Sequence, residues 1–324
     1  MSIKTTVYRP WLYIFEINLK KQLLFDLKNC TICPRDCGVN RAAGHVGYCS
    51  TPAGYSISSI VVHKGEEPAI SGRNGICNLF FTGCNLRCIF CQNHQISGNL
   101  AKIKLWSEDQ VITEIEKILE KGIHAVGFVT TSHVVPQIVS IIQRLRKSGI
   151  NAVTVYNTNS YEKPEVIRAL DGLIDVYLPD FKYINPELAL QYSDAANYPV
   201  VAAAAIKEMY RQKGSYLQTN EHGEAESGLV IRHLVLPGHT QESIQLLNYI
   251  AEEISTGVHI SLMSQYHPAH RAVHHHTLGR SLYPEEYRQV ANEMLRLGFR
   301  NGWIQDEESV DFFNPDFYKE HPFE

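Results

Sequence analysis

Three cysteines, Cys84, Cys88 and Cys91, fall within eight residues in the segment Thr82-Gly83-Cys84-Asn85-Leu86-Arg87-Cys88-Ile89-Phe90-Cys91-Gln92-Asn93. Thiolates at x3 and x2 spacing on one loop can bind three irons of a [4Fe-4S] cube, leaving the fourth iron without a protein ligand. A fourth cysteine would close the centre; its lack leaves a Lewis-acidic position open to a substrate or cofactor. The same three residues also admit a zinc knuckle or three unrelated buried thiols. A second group, Cys30-x2-Cys33-x3-Cys37-x11-Cys49, supplies four thiolates, enough to close a zinc site or a complete iron-sulfur cluster. Pro34, Gly38, Gly44 and Gly47 suit a tight wrapping of a metal, and the spacing alone favours neither metal. Cys77 stands apart and reads as a small buried hydrophobe.

The elements that must hold these thiols are visible as a rhythm. Leu79 to Thr82 reads as a strand leading straight into the three-cysteine loop. Ser107-Glu-Asp-Gln is a capping-box start, followed by Val111, Ile112, Ile115, Ile118 and Leu119 at helical spacing. Strands are then expected over 125–130, 152–156, 175–181, 229–236 and 259–263, with helices over 135–147, 165–170, 200–212, 241–253 and 285–297. Alternating strands and helices imply parallel strands with right-handed crossovers. Six such units are too few for a closed eight-unit barrel and no Gly-x-Gly-x-x-Gly follows the first strand, so an α/β partial (β/α)6 TIM-like barrel is expected, with a doubly wound sheet as the alternative. The expected division is an N-terminal Cys-rich extension over 1–75, the barrel over 76–305 and a tail over 306–324. Residues 214–228, polar and rich in Gly and Glu, read as an exposed loop.

Composition narrows the class. The 324 residues are 44% apolar with a net charge of −4, which excludes wholesale disorder and disfavours a dedicated nucleic-acid binder. No apolar run reaches the roughly 20 residues of a membrane helix, and Met1 to Lys21 lacks a signal-peptide layout, so a cytoplasmic protein is expected. Eight cysteines there read as metal ligands rather than disulfides.

Cys-x3-Cys-x2-Cys with the aromatic Phe90 before its last cysteine, placed after the first strand of an incomplete barrel, resembles the radical S-adenosylmethionine (SAM) superfamily. The resemblance implies that SAM chelates the open iron and is cleaved by one electron to methionine and a 5′-deoxyadenosyl radical, which abstracts hydrogen. Further segments are similar to a branch related to pyruvate formate-lyase-activating enzyme: Cys30 to Arg41, Gly44 to Cys49, Asp175-Val-Tyr-Leu-Pro-Asp-Phe-Lys182, Val235-Leu-Pro-Gly238, Leu262 to Tyr266 and Asn301 to Gln305. Where many members carry a Gly-Gly-Glu turn for the SAM amino group, this chain has Thr130-Thr131-Ser132-His133. These residues are either SAM contacts or strand-end and cap chemistry, with His133 orienting the loop. Asn157-Thr158-Asn159 stands where the activases resemble Asp-Thr-Asn, so a cation site is not expected, while contacts to ribose or carboxylate are. Asp180 and Lys182 match the activases' Asp-x-Lys and are the catalytic candidates, on one side of a strand with Phe181 opposite; a structural salt bridge is the competing reading. Phe90, Asn93 and Arg232 join the cofactor-contacting set, with His239 weaker. The histidine run His267 to His276 reads first as a bland loop.

The expected function is radical hydrogen abstraction, directed at a glycine of a glycyl-radical enzyme or else at a small molecule, peptide or RNA. A non-catalytic iron-sulfur electron carrier is the alternative. A flavodoxin or ferredoxin is the expected reductant.

Overall fold

The computed structural model describes residues 25–98, 101, 103–305, 315–319 and 321–323. Ten strands form one open sheet: β1 (Tyr55–His63), β2 (Ile76–Phe81), β3 (Leu105–Trp106), β4 (Ala125–Val129), β5 (Val153–Thr158), β6 (Val176–Pro179), β7 (Gln218–Thr219), β8 (Ala225–Leu234), β9 (His259–Met263) and β10 (Gly302–Ile304). Their spatial order is β10-β9-β8-β6-β5-β4-β2-β1-β3, with β7 paired to β8. From β2 through β4, β5, β6, β8, β9 and β10 every neighbouring pair is parallel. Each new parallel strand is added beside the previous one, so the order never reverses. Right-handed crossovers of that kind put successive helices on one face and curl the sheet, which is the partial barrel rather than the doubly wound alternative.

The six expected strands are present. Three further features were not read from the sequence. β10 extends the parallel series by three residues, too few for a pattern to show. β1, inside the segment 1–75, pairs antiparallel with β2 and so continues the barrel sheet. The expected loop over 214–228 is in part a hairpin: β7 pairs antiparallel with β8, closed by a turn in which Asn220 Oδ1 accepts from the His222 and Glu224 N–H groups. Asn220 thus does the turn work that polarity alone left unassigned.

The helices follow their signals. Glu108–Leu119 starts with the Ser107/Gln110 capping box and buries Val111, Ile112, Ile115 and Ile118. Val135–Lys147 buries Ile138, Ile141, Ile142 and Leu145 at the same spacing. Both belong to the main core between the helices and the outer sheet face. A second cluster fills the lumen floor, where the turn Pro68–Ser71 inserts Ala69 and Ile70 among Ile76, Val155, Val176 and Val230. Strand alternation then fixes what lies above that plug: Asn157 follows Val155, Asp180 follows Val176 and Leu178, and Arg232 follows Val230. Among the described residues, no helix is long and apolar enough to cross a membrane.

Candidate radical centre at the barrel mouth

The three-cysteine loop leaves β2 through a turn that only glycine accommodates. Gly83 has φ +78, and a Cβ there would overlap the Cys49 carbonyl oxygen and Thr51 Oγ1. Each of the three thiols then meets a polar group from its surroundings. Asn159 Nδ2 lies 3.5 Å from Cys84 Sγ, the Ser193 hydroxyl donates to Cys88 Sγ at 3.0 Å, and Ser97 Oγ lies 3.2 Å from Cys91 Sγ. Burial, with the neighbouring Cys88 second, pushes the Cys84 thiol up to about 12 and the Cys91 thiol up to about 11. All eight cysteines are free thiols, and among the described residues no three ligating side chains are drawn to the spacing of a single ion.

The three cysteines line one wall of a cavity of about 240 Å³. Phe90, Asn93, Thr130, Asn157, Asn159, Asp180, Lys182 and Arg232 share that lining, drawn from the ends of β4, β5, β6 and β8 and the cysteine loop itself. Sequence positions spread over 149 residues, from Cys84 to Arg232, therefore meet at the carboxyl ends of the strands, where barrel sites form. Thr130 adopts φ +64, a conformation costly for a β-branched residue, at the very turn where the sequence departs from Gly-Gly-Glu.

Thr131, Ser132 and Thr158 are placed differently. All three are buried, Thr131 Oγ1 donates to the Asn157 carbonyl at 3.3 Å, and Ser132 Oγ bonds Asn159 Oδ1 at 3.1 Å. Ser132 and Thr158 share a partner in Glu162, a carboxyl group at the core that accepts from their hydroxyls and from that of Tyr156. Burial raises its pKa despite those donors. Ser132 thus holds the Asn159 side chain, Thr131 holds the Asn157 backbone, and none of the three lines the cavity. Tyr198 has a similar role: its hydroxyl lies 2.9 Å from the Asn159 and Asp180 carbonyls and accepts from the Lys182 N–H at 3.1 Å.

Asp180 and Lys182 form a 2.6 Å ion pair within the cavity wall, while Phe181 turns outward onto Tyr249. Burial alone would lower the Lys182 pKa, but Asp180, Cys88 and Tyr198 together outweigh it and raise the pKa above the ordinary lysine value. Arg232 is committed as well: Nε donates to Glu67 at 2.8 Å and Nη2 to Glu66 at 2.5 Å, with a further contact to Glu67. Burial opposes a charged Glu66, yet Arg232 carries its pKa below the ordinary carboxylate range. Around this triad the first cavity joins a second of about 380 Å³, sharing Asn93, Asn157, Arg232, Met263 and Gln265. Phe80, Trp303 and Phe323 complete its wall.

His133 is buried and its Nε2 donates to the Thr82 carbonyl at 2.8 Å, with its pKa pushed down to about 3 by burial and then by Arg41. His239 bonds the Tyr192 hydroxyl, and the run His267 to His276 does not line the cavity.

The chain belongs to the radical SAM superfamily, whose family model matches residues 78–250. Membership implies a [4Fe-4S] cluster and SAM, and the thiol set, the cavity and the polar strand ends fit both groups. An uncharacterized protein of Methanocaldococcus jannaschii is 28% identical over 291 residues, 87% of this chain and 78% of that protein. Among solved structures, a domain of pyruvate-formate lyase-activating enzyme from Bacteroides vulgatus matches 53% of this chain and 93% of its own at 12% identity, TM-score 0.38. Streptococcus suis SuiB bound to S-adenosylmethionine matches 69% of this chain and 48% of its own at 12% identity, TM-score 0.47, so the chain spans about half of that protein.

Proposed function

We propose that Cys84, Cys88 and Cys91 ligate the [4Fe-4S] cluster and that SAM occupies the adjoining cavity. The observation that carries this is the convergence of three half-buried thiols, each with a polar neighbour, on a cavity formed by strand ends. When bound, the reduced cluster and SAM supply a 5′-deoxyadenosyl radical that takes a hydrogen atom from the substrate. The chain's own residues do the rest. Asn159, Ser193 and Ser97 orient the sulfurs, the charged Lys182 faces the SAM carboxylate or a polar substrate group, and Asn157 and Asn93 offer amides to ribose and carboxylate. The second cavity, bounded by Glu66, Glu67 and Arg232, receives the reacting group.

The finer reading is activation of a glycyl-radical enzyme, with the electron delivered by a flavodoxin or ferredoxin. The ionised triad deep in the lumen favours a polar small molecule as the second reading, because a charged pocket suits a group that can be fully enclosed. With 5′-deoxyadenosine as the reporter, deuterium acquired from a deuterated partner protein supports the activase, and deuterium acquired from a deuterated metabolite supports the second reading. The cofactor assignment is tested by electron paramagnetic resonance of the anaerobically reconstituted, reduced protein. Adding SAM should change the spectrum of the wild type, and a Cys88→Ala variant that gives the same spectrum and the same change contradicts the assignment.

A further inference from the structure

We propose that Cys30, Cys33, Cys37 and Cys49 form a second metal centre, a tetrathiolate site of net negative charge whose buried counter-cation is Arg41. The four cysteines line one small pocket together with Arg41 and His133. Its walls are wrapped closely: Gly38 N–H donates to the Cys30 carbonyl, Tyr48 N–H to Cys37 Sγ at 3.4 Å, and a Cβ at Gly47 would stand 2.8 Å from Cys37 Sγ.

Arg41 points to what the pocket holds. Its side chain is 1% exposed, and its donors go to the carbonyls of Thr51, Pro52 and His133, with Nη1 3.8 Å from Cys30 Sγ. Among the described residues no carboxylate pairs with it. A permanent cation buried without an anion is costly, and carbonyl dipoles do not neutralise it. Four neutral thiols would not neutralise it either, and four bare thiolates would repel one another. A [4Fe-4S]2+ core, or a divalent cation once the thiols draw together around it, carries a net charge of −2 on four thiolates, and its binding releases the four thiol protons to solvent. His133 adds a second sign: its buried Nδ1 has no partner, and the residue lines the same pocket.

The centre also bears on the radical site without sharing its ligands. The Cys49 carbonyl backs the Gly83 turn, Arg35 Nε donates to the Asn85 carbonyl at 2.9 Å, and Arg41 holds the His133 carbonyl at 2.7 Å. Those contacts fix the cysteine loop and the turn after β4 from behind. The proposal stands apart from the hydrogen-abstraction reading, since it concerns a different thiol set.

The test counts metal in full-length protein carrying Cys84→Ala, Cys88→Ala and Cys91→Ala, which leaves only this site. About one zinc or about four irons per folded chain is expected, the count distinguishing the two metals, with loss of either when Cys33→Ser and Cys37→Ser are added. Arg41→Gln should weaken metal retention against a chelator by about 10- to 100-fold, while Arg41→Lys keeps most of it. A folded triple variant without stoichiometric metal overturns the centre. Wild-type retention in a folded Arg41→Gln protein overturns the counter-cation. Should Arg41→Gln fail to fold, retention by Arg41→Lys still decides, because a cation that serves as counter-charge must preserve it.

Discussion

Hydrogen bonds to the three sulfurs set how readily the cluster takes an electron, because they stabilise the more negative, reduced state. Ser193 makes the shortest of them, 3.0 Å to Cys88 Sγ. Ser193→Ala should therefore lower the cluster's reduction potential by on the order of 40 mV, one ordinary hydrogen bond of ~1 kcal/mol for one electron. Redox titration followed by electron paramagnetic resonance reads it, and an unchanged potential contradicts the contact. Lys182 holds the cavity's ammonium, so Lys182→Met should raise the KM for SAM or substrate at least about 10-fold with iron content unchanged, the loss of one charge-assisted hydrogen bond. The cysteines, Asp180 and Lys182 were readable because their spacing lies within one loop or one strand. Ser193 and the Glu66–Glu67–Arg232 triad were not, since Ser193 is 105 positions from Cys88 and Glu67 is 165 from Arg232, and only the folded, curled sheet brings them together. The Asn185-Pro186 pair that caps helix Pro186–Ser193 was a usable signal for the element, though not for the contact at its end.

Among the elements, the β2 turn is the joint between the barrel and the four-cysteine segment. Gly83→Ala combines a positive φ with overlap against Cys49 and Thr51, so a destabilisation of about 2–4 kcal/mol is expected. Urea unfolding of the metal-loaded protein measures it, and a midpoint equal to the wild type's would mean that the loop does not rest on that segment. Helix Pro284–Arg296 carries a different joint. Glu286, beside the Arg280 guanidinium, accepts from the Gly238 and Tyr283 N–H groups, and its carboxyl is held down at about 2. A carboxylate depressed in the folded state stabilises above its unfolded pKa and loses that contribution as pH falls toward the folded value. Stability should thus decline between about pH 4.5 and 2, and Glu286→Gln should flatten that part of the profile. An identical slope in the variant would contradict the pairing. The six repeating strands were legible because parallel strands covered on both faces read as continuous apolar runs. β1 and β10 escaped for opposite reasons: the serines of β1 blur its apolar run beside a cysteine motif, and β10 has three residues.

For the whole molecule, an open barrel leaves a seam that other segments must cover. Phe317 and Phe323 pack on Phe80 with ring centroids 5.3 and 5.4 Å away, and Gln95, just beyond the cysteine loop, accepts from the Phe317 N–H at 2.7 Å. The second cavity is thereby walled by residues as far apart in the sequence as His63 and Phe323. That wall was invisible in the sequence, where 306–324 showed only a tail. The three-cysteine loop and its cavity are proposed to cleave SAM. Anaerobically reconstituted protein, reduced with dithionite and given SAM, should form 5′-deoxyadenosine and methionine in equal amounts, while Cys88→Ala forms neither. A wild-type protein with four irons in an intact, reducible cluster that yields no 5′-deoxyadenosine would rule out SAM cleavage and leave an iron-sulfur electron carrier.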